Sequence, residues 1–134
     1  MELYAEGGPL WWRGLADVMD DAVVCGWARE LQAKLGVRRI IGGHTPDFEK
    51  IVHRCNASVI IIDTGMSSAY GGVLSALEID YTLTPLSSRP DHRQDPLLAE
   101  SIQPGQTYLE REVVSAIYEN GKHVIAVEEK EVVA

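Results

Sequence analysis

A histidine at the end of an apolar strand is the residue of this chain whose setting first suggests chemistry. His44 follows Ile40-Ile41-Gly42-Gly43 and precedes Thr45-Pro46. Glycine lets the backbone turn sharply and approach another group closely, while proline prevents the strand from continuing. Side chains that bind ligands in α/β proteins gather at such strand ends. The pattern predicts that His44 points into a cleft, while the residues alone favour a purely structural histidine on a turn over a ligand.

Asp63 ends the next apolar strand in the same way. It follows Val59-Ile60-Ile61-Ile62, and four consecutive branched residues are typical of a strand that is buried on both faces. If the two strands are adjacent, the carboxylate can orient the imidazole, because metal-bound histidines usually donate their second ring nitrogen to an oxygen acceptor. The alternative is that Asp63 caps its own Asp-Thr-Gly turn.

Arg13 follows two tryptophans in a segment that is rich in glycine and proline. Packing of Trp11 and Trp12 can hold the guanidinium in place as a clamp for phosphate. The tryptophans can equally serve to anchor the N-terminal segment to the core, and the residues alone favour this second interpretation.

The elements that must position these residues alternate between helix and strand, which predicts an α/β fold. The main helix is expected at about 21–35, with Asp20 or Asp21 as N-cap and Gly36 after its last turn. Strands are expected at 37–41, 48–54, 58–62 and 73–83, a long surface loop at 87–107, a hairpin of 108–118 and 123–127 around Asn120-Gly121, and a frayed tail at 128–134.

Composition narrows the class of protein. The 134 residues fit one domain, and a net charge of −8 argues against a broad surface for nucleic acid. No apolar run approaches the roughly 20 residues that span a bilayer, so no membrane contact is expected. Two cysteines are too few for a disulfide framework; Cys25 is expected to be a buried thiol, and a cytoplasmic location is expected.

Three segments, in this order, resemble the C-terminal part of the calcineurin-like metallophosphoesterases. The combination is most similar to the Shewanella-like, bacterial-type phosphoprotein phosphatases. The segments are Gly8-Pro9-Leu10-Trp11-Trp12-Arg13-Gly14, Gly43-His44-Thr45, and Ile62-Asp63-Thr64-Gly65-Met66-Ser67 through Tyr70-Gly71-Gly72 to Leu77-Glu78-Ile79.

The resemblance implies part of a β-sandwich that is flanked by helices. It also implies two divalent metal ions (manganese, iron or zinc) that bind the phosphate and activate hydroxide for in-line attack on phosphorus. By resemblance, His44 is a metal ligand, Arg13 a phosphate clamp, and Tyr70 a residue at the mouth of the substrate site. The role of Asp63 beside His44 is an inference from its position and not a family assignment.

The sequence departs from this family because the motifs Gly-Asp-x-His, Gly-Asp-x-x-Asp-Arg and Gly-Asn-His-Glu do not occur. These motifs supply most of the metal ligands, and one histidine cannot hold a dinuclear site. We therefore expect residues 1–134 to be a single partial domain, a truncated C-terminal half of a phosphatase of phosphoproteins or small phosphoesters that is inactive alone. Its partner would be the missing N-terminal half or a second copy.

Two other interpretations stay open at this stage. The chain can be a non-catalytic binding or structural half-domain, whose exposed sheet at 58–62 is covered by a partner. It can also be part of a nucleotide-polyphosphate hydrolase of the same superfamily.

Overall fold

The computed structural model describes residues 3–5, 8–86, 102 and 104–134. These residues form two compact units, Met1–Leu77 with Ala116–His123 and Glu78–Ser115 with Val124–Ala134. The described part is a mixed α/β fold with two small sheets. The expectation of a single partial domain remains a prediction.

Two helices lie at the start of the first unit. The short α1 spans Gly14–Asp17. The main helix α2 spans Asp21–Leu35, which is the range predicted from the sequence. The side chain of Asp20 caps α2 by accepting a hydrogen bond from the Ala22 N–H at 2.9 Å. At the other end Gly36 adopts a left-handed conformation with φ 66°, which a residue without Cβ adopts at little cost.

The first sheet contains three short strands in the order β1-β3-β2. They span Ile40–Gly42 (β1), Val52–Arg54 (β2) and Val59–Ile61 (β3). The central β3 pairs in parallel with β1 and antiparallel with β2. β2 and β3 lie inside the predicted ranges 48–54 and 58–62, whereas β1 begins three residues later than the predicted 37–41 and extends one residue past it to Gly42.

The core of the first unit forms where α2 packs against β3. Ala28 of α2 and Val59 of β3 are fully buried, and Ile61 of β3 is almost fully buried. Partly buried apolar residues pack against this cluster. All three residues of β3 are buried within this chain. The expectation that the strand at 58–62 leaves its sheet exposed for a partner is therefore wrong for 59–61, because α2 and the flanking strands cover these residues. Ile62, which lies beyond the strand, is 38% exposed.

The second sheet has the order β4-β5-β6 and consists of long strands. They span Ser75–Pro85 (β4), Thr107–Tyr118 (β5) and Gly121–Val133 (β6). The hairpin of β5 and β6 turns at Asn120-Gly121, as the sequence predicted, and Gly121 has φ 135°. In the second unit an ion pair at 2.8 Å joins Arg111 of β5 to Glu129 of β6.

Two boundaries near the C-terminus differ from the sequence prediction. The tail expected to fray at 128–134 instead continues β6, and Ala134 exchanges backbone hydrogen bonds with Gly105 and Gln106 at 2.8 and 3.1 Å. Pairing with a neighbouring strand satisfies backbone groups that a frayed tail would leave to water. The loop expected at 87–107 gives way to β5 at Thr107, while 87–101 and 103 lie outside the described residues.

A disulfide joins Cys25 of α2 to Cys55 in the turn between β2 and β3, with the two Cα atoms 5.4 Å apart. The prediction of a buried free thiol at Cys25 is therefore wrong, and cysteine usage no longer supports a reducing compartment. The turn is unusual because Cys55, Asn56 and Ala57 all have positive φ angles of 52–61°. Left-handed backbone is unfavourable for residues with a Cβ, so the turn depends on contacts that hold it.

Other contacts secure the same turn to its surroundings. The Arg54 guanidinium donates a hydrogen bond to the Asp21 carboxylate at 2.7 Å and another to the Leu15 carbonyl at 3.1 Å. Arg39 donates to the Ala57 carbonyl at 2.8 Å.

No described helix combines the length and the apolar character that crossing a bilayer requires.

We expect loss of the disulfide to destabilise the first unit. Replacing both Cys25 and Cys55 with serine should lower the free energy of unfolding by about 3 kcal/mol, since the bond closes a loop between residues 30 positions apart. Urea denaturation of the oxidised chain, the reduced chain and the double variant measures this, and the last two should agree. Equal midpoints for all three would contradict the prediction.

Candidate functional site

The parallel pairing of β1 and β3 places the ends of both strands at one edge of the first sheet. Gly42 and Ile61 are register partners, and Ile62 donates a backbone hydrogen bond to the Gly42 carbonyl at 2.9 Å. His44 and Asp63 each lie two residues beyond this pair. The two strands ahead of these residues are therefore adjacent, a condition that the sequence alone left undecided.

His44 begins the turn after β1 with a left-handed backbone. Its φ angle is 67°, an unfavourable value for a residue with a Cβ, and its side chain is exposed. Non-glycine residues in this region gather at functional sites, where the surrounding structure holds them against the strain. The left-handed backbone and the exposed imidazole make His44 a candidate site residue.

A pocket of about 270 Å³ opens beside this turn in the first unit. Arg13, His44 and Thr45 line the pocket and carry polar side chains with donors that can bind an anion. The rest of the wall is mainly apolar and comes from the Trp11–Trp12 segment, α1, β1 and β3: Leu10, Trp11, Trp12, Leu15, Ala16, Ile40, Gly42, Gly43, Val59 and Ile61.

Arg13 is half-buried and lies over the ring of Trp11, with its guanidinium carbon 5.5 Å from the ring centroid. Trp11 in turn contacts His44, with the ring centroids 6.4 Å apart at an interplanar angle of 58°. Among the described residues no carboxylate forms an ion pair with Arg13. The guanidinium and the imidazole, 31 positions apart in sequence, therefore share one wall of the pocket.

Asp63 does not hydrogen-bond to His44. Its Oδ1 accepts from the Gly65 N–H at 2.9 Å, so the carboxylate caps its own turn, which is the alternative the sequence left open. Its backbone carbonyl accepts a hydrogen bond from the Asp47 N–H at 3.1 Å. Asp63 therefore secures the loop after His44 through its main chain.

Tyr70 lies in the loop of residues 63–72 and does not line the pocket. Its side chain is 71% exposed. The base of the loop is closed by a Gly72–Gly65 backbone hydrogen bond of 3.0 Å and by the buried Thr64 hydroxyl, which donates to the Val73 carbonyl at 2.7 Å. Hydrogen bonds thus close the base of the loop, while the Tyr70 side chain is exposed.

Two residues of this wall were not identified as site residues from the sequence. Thr45 lines the pocket beside His44, and Trp11 contacts both Arg13 and His44. Trp11 and Arg13 are only two positions apart in the sequence. The contact of Trp11 with His44 was not visible there, because no local pattern records a contact across 33 positions.

The described residues do not by themselves fit a complete metal site. Within 3–5, 8–86, 102 and 104–134, no three His, Cys, Asp or Glu side chains are grouped closely enough to hold a metal ion. A divalent metal takes several protein ligands, so His44 supplies at most one of them from this part of the chain.

Comparison with known proteins adds a partial match. An uncharacterized protein of Schizosaccharomyces pombe is 41% identical over 78 residues, which cover 58% of this chain and 23% of that protein. The chain thus matches less than a quarter of this relative. No protein-family model matches the chain. No solved structure matches it.

We expect the backbone conformation at position 44 to favour glycine over histidine. His44→Gly should leave the free energy of unfolding unchanged or raise it by up to about 1 kcal/mol, because glycine removes the left-handed strain. His44→Val should lower it by about 1–2 kcal/mol.

The matched control is His53→Gly in β2, where glycine should lower stability by about 1 kcal/mol because the strand backbone is unstrained. Urea denaturation measures all three variants. If His44→Gly destabilises the chain as much as His53→Gly does, contacts of the imidazole outweigh the backbone strain.

The loop of residues 63–72 should tolerate no side chain at its closing glycine. A Cβ on Gly72 would lie 1.7 Å from the Thr64 carbonyl oxygen, so Gly72→Ala should lower the free energy of unfolding by about 1–3 kcal/mol. Gly26→Ala in α2 meets nothing within 4 Å and should raise it by about 0.5–1 kcal/mol. Thermal unfolding of the pair gives the comparison, and equal midpoints would refute the close packing.

Proposed function

We propose that this chain is the C-terminal portion of a metal-dependent phosphatase that hydrolyses phosphomonoesters. The observation that carries the proposal is the placement of Arg13 and His44 on one wall of a pocket at the strand ends of β1 and β3. These two residues are the ones to which the family resemblance assigns a phosphate clamp and a metal ligand.

The role proposed for Arg13 is to bind the phosphoryl group. A guanidinium presents paired N–H donors that match two phosphate oxygens, and such charge-assisted hydrogen bonds are stronger than neutral ones. Arg13 is half-buried beside apolar residues, and this partial desolvation strengthens its attraction to a dianion relative to a fully solvated guanidinium. The Thr45 side chain offers a further donor at the same mouth.

The role proposed for His44 is to supply one imidazole ligand to a divalent metal whose other ligands lie outside the described residues. Manganese, iron or zinc supplies Lewis acidity toward phosphoryl oxygens and water in sites of this kind. The exposed position of the imidazole leaves its ring accessible to such a ligand. Tyr70 and Asp63 have no direct part in this proposal: Tyr70 lies outside the pocket wall, and Asp63 caps its own turn.

Phosphate binding to the chain itself tests the clamp. Titration with inorganic phosphate, followed by NMR of backbone amides, should shift the signals of residues 42–45 saturably. Arg13→Ala should weaken binding at least about tenfold, because a charge-assisted hydrogen bond is lost. Arg29→Ala removes the same charge from the exposed face of α2 and should leave the affinity unchanged. Equal loss in both variants would leave only general electrostatic attraction.

Metal binding tests the ligand. Low concentrations of Mn²⁺ should broaden the ring-proton signals of His44 more than those of His53 and His123, which lie outside the pocket. Equal broadening of all three histidines would contradict a specific site.

Activity is tested in the longest reading frame that contains the chain. That product should hydrolyse p-nitrophenyl phosphate in the presence of a divalent metal, and His44→Ala should reduce kcat/KM at least about 100-fold, since a lost ligand disturbs the metal. Unchanged rates and metal content in His44→Ala would refute the assignment. Phosphate binding without turnover would favour the non-catalytic alternative, a module that binds phosphate groups.

A further inference from the structure

Trp11 contacts both Arg13 and His44. The guanidinium carbon of Arg13 lies 5.5 Å from the centroid of the Trp11 ring, and the His44 ring lies 6.4 Å from it at a tilt of 58°. The indole is 49% exposed, so it is not held there by burial in the core. Its neighbours are the two residues proposed to meet the ligand.

The adjacent Trp12 has a different and structural task. Its ring packs edge-on against Trp27 of α2 with centroids 5.5 Å apart. It also lies against the backbone of Gly14, where a Cβ would approach the ring to 2.3 Å. Trp12 therefore anchors the segment to α2 in addition to lining the pocket, whereas Trp11 contacts Arg13 and His44. The anchoring interpretation thus fits Trp12, and the positioning interpretation fits Trp11.

The physical case for a positioning role is that, among the described residues, little else restricts the side-chain conformations of Arg13 and His44. Arg13 precedes the four-residue α1 and makes no side-chain cap to it, so its long side chain has many rotamers to lose on binding a ligand. The face of an indole attracts a guanidinium through its quadrupole and limits those rotamers in advance. His44 begins an exposed turn, where a contact with the same ring restricts the orientation of the imidazole.

We propose that Trp11 is a positioning residue that orients the Arg13 guanidinium and the His44 imidazole toward one ligand in the pocket. This inference rests on the proposed function, because it assumes that both side chains meet the same phosphoryl group. Trp11 acts through its two neighbours and not by contact with the reacting atoms. Pre-ordering of the clamp raises affinity because less conformational freedom remains to be lost on binding.

The test uses the full chain with inorganic phosphate as the probe. Trp11→Ala should weaken phosphate binding about five- to tenfold and move the ring-proton shift of His44, because the ring current of the indole is removed. Trp11→Phe should restore most of the affinity, since it retains an aromatic face. The thermal midpoint should change little in either variant, in contrast to Trp12→Ala, which removes the anchor.

A double-mutant cycle separates this inference from the proposed function. Combined with Arg13→Ala, the Trp11→Ala change should add little further loss, because both act through one guanidinium. If Arg13→Ala leaves phosphate affinity unchanged, the proposed phosphate clamp fails. If Arg13→Ala weakens binding but Trp11→Ala does not, the clamp stands and the positioning role is overturned. Loss of affinity that phenylalanine fails to restore, with a large drop in the thermal midpoint, also overturns it by showing a structural role.

Discussion

Parallel pairing between β1 and β3 is the interaction on which the candidate site depends. Each strand has only three residues, yet their register sets Gly42 opposite Ile61 and brings both strand ends to one edge. The packing of Val59 and Ile61 against Ala28 of α2 holds this register, because a shift by one residue would replace both side chains on the face toward the helix. Without this pairing, the turn that carries His44 would not meet the segment that carries Arg13.

The parts of the fold that the sequence predicted well are those governed by local chemistry. Asp20 and Gly36 mark the ends of α2 by capping, and Asn120-Gly121 marks the hairpin by its turn preference. The run of branched residues around Ile60 identified the buried central strand. In each case the signal lies within a few residues of the element that it predicts.

The parts that the sequence did not predict depend on contacts between distant residues. Nothing in the spacing of Cys25 and Cys55 reveals that a helix and a turn bring them together. The continuation of β6 through the acidic tail required knowledge of its pairing with β5, since glutamate is not typical of strands. The same limit applies to the site, where His44 was recognised by its glycines but its contact with Trp11 was not.

Charge has a local meaning in this protein that the overall composition conceals. The chain carries a net charge of −8, which disfavours an extended anionic partner. The candidate pocket nevertheless presents Arg13 on a largely apolar wall. Arg13 can therefore attract a small anion locally despite the negative net charge, and this attraction weakens within about a Debye length of it.

The disulfide between Cys25 and Cys55 couples the stability of the fold to the redox state of these two cysteines. By thermodynamic reciprocity, any stability that the bond adds to the folded state is matched by an equal rise in the tendency of the folded chain to keep its cysteines oxidised. The left-handed turn at Cys55 and the packing of α2 on β3 are therefore also determinants of a reduction potential. A substitution in α2 that destabilises the oxidised chain more than the reduced chain would make the bond easier to reduce, even far from either sulfur atom.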